Sequence, residues 1–72
     1  MSDDNILLGQ IWRSTTHDLK IKVRANQVIP KQYDVECVYR GPDEKNARDE
    51  IRPGYIWMKT ASDIRNDYKL ES

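Results

Sequence analysis

The stretch Leu19–Ala25, Leu-Lys-Ile-Lys-Val-Arg-Ala, alternates without a break between apolar and cationic side chains. Successive side chains of an extended chain point to opposite faces, so Leu19, Ile21, Val23 and Ala25 share one side and Lys20, Lys22 and Arg24 the other. The pattern predicts a strand with one buried and one wetted face, and with it a mainly β chain. Its three cations pose the functional question: does the wetted face bind something, or is it only solvated?

The rest of the chain arranges itself around that strand. Gly9 to Ser14 reads as strand one, with Gln10, Trp12 and Ser14 on one face and Ile11 and Arg13 on the other; the polar Ser14 to Asp18 loop closes it. Strand two is the opening stretch, running on toward Val28 and stopped by Asn26-Gln27 and Ile29-Pro30, because Pro30 donates no backbone hydrogen bond. Gln32 to Arg40 reads as strand three, with Tyr33, Val35, Cys37 and Tyr39 alternating with Asp34, Glu36, Val38 and Arg40. Val38 interrupts the polar face and suggests a sheet that curls.

Gly41-Pro42-Asp43 signals a turn, and the connection on to Ile51 holds Asp43, Glu44, Lys45, Arg48, Asp49 and Glu50 with no apolar stripe to dock it. It reads as a mobile hairpin tip. Strand four follows over Arg52 to Lys59, entered through Pro53-Gly54. Thr60 to Arg65 reads as one helical turn, capped by Thr60 and anchored by Ile64, and Tyr68-Lys69-Leu70 as a short closing strand.

Length and charge narrow the function classes. The 72 residues make one domain, and a chain this short buries only about 60% of its unfolded surface, which leaves little room for a deep catalytic cleft. Twelve Lys plus Arg balance twelve Asp plus Glu, which argues against a strongly basic nucleic-acid binder and against an acidic mimic of DNA. Residues 20–40 nevertheless carry Lys20, Lys22, Arg24, Lys31 and Arg40 against Asp34 and Glu36, a local excess of three positive charges.

Cys37 is the only cysteine, so an internal disulfide and a Cys-based zinc site are both excluded, and a reducing, cytoplasmic setting is expected. No apolar run approaches the roughly 20 residues that span a bilayer, and Asp3 and Asp4 precede Ile6 to Leu8 where a signal peptide would be basic. No membrane partner, cofactor or metal is expected.

Five short strands with one helical turn before the last describe a small curved barrel, an arrangement that also shields strand edges. The order resembles that of SH3-like barrels. Gly9-Gln10-Ile11-Trp12-Arg13, Tyr55-Ile56-Trp57 and Tyr68-Lys69-Leu70 further resemble small phage and prophage-encoded SH3-like proteins, with their Gly-x-apolar-Trp-Arg opening strand and aromatic-x-Leu closing strand. The resemblance spans roughly residues 9 to 70 of the sequence. It implies a single SH3-like barrel domain over 9–72 behind a flexible segment over 1–8, and an origin in a mobile element. The length and charge of Gly41 to Ile51 depart from the pattern.

Catalytic agents are scarce. His17, the one histidine, lies in a polar loop beside Asp18, whereas Cys37 falls on a core-facing strand position, so a nucleophile and base within hydrogen-bond reach are not expected. Asp43, Glu44, Asp49 and Glu50 lack the alternating oxygens and central glycine of a calcium loop and read as solvated. The chain is therefore expected to be a non-enzymatic binding module.

Two contact surfaces compete. Two Trp and four Tyr with no Phe favour side chains that keep a polar tip and are enriched at interfaces. Trp12 is expected inside the barrel and Trp57 partly exposed beside Tyr55, with Met58 on the opposite, inward face. Tyr55, Trp57, Arg48 and Arg52 then form a protein-binding surface with the 41–51 loop. By the resemblance, its partner is a host protein or complex that a phage accessory protein binds and modulates or inhibits; a homo-oligomer also fits.

The alternative is nucleic acid on Lys20, Lys22, Arg24, Lys31 and Arg40. Asp34 and Glu36 stand on the wetted face of the neighbouring strand, where they can pair with Lys20, Lys22 and Arg24 and weaken that alternative.

Overall fold

The computed structural model describes residues 6–26 and 32–71. Five strands and one helix follow in the order β1 (Ile11–Ser14), β2 (Leu19–Asn26), β3 (Gln32–Arg40), β4 (Ile56–Thr60), α1 (Ala61–Asp67) and β5 (Tyr68–Leu70). The strands form one antiparallel sheet ordered β4-β3-β2-β1-β5. The alternating stretch is thus its central strand. Leu19, Ile21 and Val23 are 2%, 0% and 0% exposed, as the alternation requires. Val28, Pro30 and Lys31 lie outside the described residues, as do Met1 to Asn5.

The core gathers Ile21, Val23, Val35, Ile64, Trp12 and Tyr68, with Ile6 and Ala61 at its margin. Ile6, within the segment expected to be flexible, is 7% exposed and packs on the core, whereas Leu7 and Leu8 are exposed. Burying each of the larger apolar side chains contributes about 1.5–3 kcal/mol, so a handful of them carries a chain this small. Gly9, at φ 88°, turns the chain so that its own N–H donates to the Val23 carbonyl (2.7 Å), while the Val23 N–H donates to Gln10 (3.0 Å).

Strand three and strand five have the predicted bounds; strand four is shorter, beginning at Ile56. The helical turn is also present. Thr60 caps it, accepting the Asp63 N–H at 3.1 Å, and the Tyr68 N–H donates back to the Ile64 carbonyl. The expected ring of strands is not closed: β4 and β5 remain the two edges of the sheet. Helix α1 spans the interval, Ile64 fully buried beneath it, and Lys59 of β4 sets its ammonium 5.3 Å from the centre of the Tyr68 ring.

Two departures from strict alternation decide where side chains point. Lys20 pairs with Tyr39 but Ile21 with Cys37, which leaves Val38 as an extra residue in β3. Beyond this bulge the faces exchange. Tyr39, expected inside, is 40% exposed, and Arg40 turns inward instead. A second shift between Val23 and Ala25 places both Arg24 and Ala25 opposite Asp34.

The other correction concerns β4. Trp57 pairs with Val35, which is fully buried, so Trp57 faces inward. Met58 pairs with Asp34 and is 58% exposed, the reverse of the expected inward position.

Candidate functional site

The bulge at Val38 builds the site by aiming Arg40 at the loop that follows it. The Arg40 Nη1 donates to the carbonyls of Arg48 (2.7 Å) and Ile51 (2.9 Å), and Nη2 to those of Glu44 (3.2 Å) and Ala47 (3.4 Å). A guanidinium presents its donors as a rigid fork, and here the backbone of residues 44–51 wraps around that fork. The connection expected to be a mobile tip is held from inside by its neighbouring strand.

Glu44 ties the same loop to the one joining β1 and β2. Its Oε1 accepts the Asp18 N–H (2.9 Å); its Oε2 accepts the N–H groups of Asn46 and Ala47 (both 2.9 Å) and lies 3.0 Å from the His17 Nδ1. The side chain is only 7% exposed, so the solvated role expected for it does not hold. The Asp18 amide, ahead of the His17 ring and the Asn46 and Ala47 amides, draws the carboxyl down to about 2 against the opposing effect of burial. Glu44 is therefore a carboxylate at neutral pH and accepts only, so the His17 Nδ1 carries the proton of their hydrogen bond.

At Gly41 the two loops meet closely. Its N–H donates to the Asp18 carbonyl at 2.8 Å, and a Cβ there would collide with the Asp18 carboxylate.

Between these locked loops and the β4 and β5 edges opens a cleft of about 290 Å³. Leu19, Ile51, Trp57 and Tyr68 supply its apolar surface; Arg48, Lys59, Asp67 and His17 supply charge or hydrogen bonds. Trp57 is half-buried against the core, stacked on Tyr55 with ring centres 5.2 Å apart and planes at 33°. Lys59 lies over Trp57 (6.0 Å) as well as Tyr68, and no carboxylate pairs with it among the described residues. Burial, and next the Asp67 charge, push the Tyr68 hydroxyl up to about 12, so it remains a neutral donor.

Of the residues predicted to bind protein, Trp57 and Arg48 line this cleft. Tyr55 backs Trp57 from outside the lining, and Arg52 is exposed, its Nε donating to the Asp49 carbonyl at 3.0 Å. Arg48 itself stands 3.6 Å from Glu50, with both side chains more than half exposed. Exposed pairs of this kind contribute little and release readily to a competing ligand.

The residues of the nucleic-acid alternative are dispersed. Lys20 pairs with Glu71 (3.2 Å) and lies 5.6 Å from the Tyr39 ring; Arg24 pairs with Glu36 (3.6 Å), one of the two acids expected to do so. Arg40 is consumed by the loop carbonyls, and Lys31 lies outside the described residues. Lys22 alone of the four described cations extends from the sheet without an ion pair among the described residues.

His17 and Cys37 are not directed at each other. The His17 Nδ1 is taken by Glu44, and the Cys37 thiol, buried and raised above its ordinary range chiefly by that burial, donates to the Tyr39 carbonyl at 3.4 Å. Among the described residues no cluster of three or more His, Cys, Asp or Glu is placed to hold a metal, and no helix is long and apolar enough to cross a membrane.

Glu44, Lys59 and Asp67 are site residues that the sequence pattern does not single out. Only Lys59 leaves a trace in it, as the residue two beyond Trp57 on the same face of a strand. Compared with family models, with curated proteins and with solved structures, the chain finds no match.

Proposed function

We propose that this chain is a non-enzymatic binding module that holds a segment of a protein partner in the Trp57 cleft. The observation that supports this most is the way the cleft is prepared. Its two loop walls are joined through Glu44 and braced by Arg40, while Trp57 and Tyr68 floor it and Lys59 keeps an ammonium without a carboxylate partner among the described residues. A site whose walls are already ordered loses less conformational entropy when a ligand enters. Arg48 and Lys59 oppose a single carboxylate, Asp67, which favours a partner segment with net negative charge.

The resemblance to small phage and prophage proteins makes that partner a host protein or complex in the host cytoplasm, which the module modulates. Affinity capture from a bacterial lysate, read by mass spectrometry, tests the proposal. A partner retained by the native chain and by Lys22→Glu, but lost with Arg48→Glu, supports the cleft. A partner lost with Lys22→Glu and kept with Arg48→Glu would move the contact to the basic strand face and refute it.

A further inference from the structure

Over Ile56–Thr60, strand β4 is an edge without the devices that usually protect one; Pro53 and a bulge that sets Gly54 and Tyr55 both against Cys37 stand only at its entry. Natural sheets guard their edges with outward charges, proline, bulges or very short strands, because a row of free N–H and C=O groups templates pairing with another chain. The opposite edge, β5, has three residues with an exposed Lys69 at its centre and Glu71 directly after it. Strand β4, Ile-Trp-Met-Lys-Thr, has no proline and runs in uninterrupted register with β3. Its one charge, Lys59, is folded inward over Trp57 and Tyr68.

Two of the three outward side chains are apolar: Ile56 is 47% and Met58 58% exposed. The backbone behind them is unpaired as well among the described residues. The Cys37 N–H donates to the Tyr55 carbonyl at 2.8 Å, and antiparallel alternation from that bond turns the N–H and C=O groups of Trp57 and Lys59 toward β3. Those of Ile56 and Met58 turn away from it, and no strand lies beyond them among the described residues.

The geometry points to a second copy of this chain as the occupant, its β4 adding antiparallel to this β4 about a two-fold axis at Trp57. In that register Ile56 of each copy pairs with Met58 of the other, so both exposed apolar residues are covered twice over. Shifting the axis to Met58 sets Ile56 against Thr60, and shifting it to Ile56 sets Met58 against Gly54. Those registers give one of the two exposed apolar residues an apolar partner, its own copy; the Trp57 axis gives both of them one.

Charge agrees with this pairing. A formal net charge of zero removes long-range repulsion between copies. Pairing five residues covers less than the roughly 800 Å² per partner of a standard interface, so the dimer is weak and depends on concentration. It uses the outer side chains of β4, whereas the cleft uses the inner ones, so either site stands if the other fails.

Sedimentation velocity on the full chain from about 10 μM to about 1 mM, with amide hydrogen exchange at both ends of the range, tests the inference. The expected result is a monomer–dimer shift in which the Ile56 and Met58 amides slow about tenfold while the Trp57 amide, already bonded to β3, does not change. Met58→Lys, at an exposed position that leaves the monomer intact, is expected to weaken the dimer at least about tenfold. A chain that stays monomeric at the highest concentration overturns the inference. So does a dimer in which the Ile56 and Met58 amides exchange as in the monomer, or one that Met58→Lys leaves unchanged.

Discussion

Replacing Arg40 by Met keeps the aliphatic stem and removes the fork that holds the 44–51 backbone. Four N–H···O=C contacts disappear, two of them short at 2.7 and 2.9 Å and two longer at 3.2 and 3.4 Å. Hydrogen bonds from a charged donor contribute about 1.5–3 kcal/mol each when well formed. Arg40 is only half-buried, so its freed carbonyls gain water. Counting the two short bonds near the bottom of that range and discounting the two long ones gives a loss of about 3 kcal/mol.

For a domain of this size, 1 kcal/mol moves the midpoint by about 4–8 °C, so a fall in Tm of about 12–24 °C is expected. Thermal and urea unfolding followed by circular dichroism read the loss. Amide exchange over residues 44–51 reads its location. Arg40→Lys keeps the charge but not the fork and should fall between the two. A Met variant within about 0.5 kcal/mol of the native chain, or a Lys variant indistinguishable from it, would show that the guanidinium does not organise this loop.

Three further outcomes follow from single groups. Because the Glu44 carboxyl lies at about 2 when folded against an ordinary 4.5, its contribution is fully present above pH 4.5 and is lost as pH falls toward about 2; Glu44→Gln should lower stability at pH 7, and urea midpoints measured down the pH scale should show its deficit shrinking through that window. Thr60→Ala removes the acceptor for the Asp63 N–H and should cost about 1 kcal/mol by urea denaturation, with Thr60→Ser retaining most of it. Burial keeps the Cys37 thiol protonated and covered, so a thiol reagent at pH 8 should label it only as fast as the chain opens, and at once in denaturant.

The parts of the fold legible in the sequence were those that rest on local pattern. Leu19–Ala25 alternates because one face of β2 is core, and the bounds of β3 and β5 and the Thr60 cap follow from short-range chemistry of the same kind. Alternation fails where the backbone adds a residue. The bulge at Val38 sends Tyr39 out and Arg40 in, and a strict period of two has no means of registering it.

Met58 fails for a related reason. Which face of β4 turns inward is set by pairing Trp57 with Val35, a relation between strands rather than within one. The cleft walls depend on contacts still more distant in sequence, such as His17 with Glu44 across 27 residues. Glu44 looks like any acid in a polar loop until the fold brings the Asp18, Asn46 and Ala47 amides around it. Trp57 and Arg48, by contrast, were singled out from side-chain chemistry alone, an amphipathic aromatic and a cation beside a long loop, and both line the cleft.

The most direct test of cleft binding is the indole N–H spectrum of the native chain titrated with its captured partner. Trp12 is 4% exposed and donates to the Gln10 side chain at 3.3 Å, whereas Trp57 lies open in the cleft, so the two signals report separate places. Binding in the cleft predicts that the Trp57 indole and the Arg48 and Lys59 amides shift together while the Trp12 indole stays in place. Shifts confined to Lys20, Lys22 and Arg24, with the Trp57 indole unmoved, would contradict it.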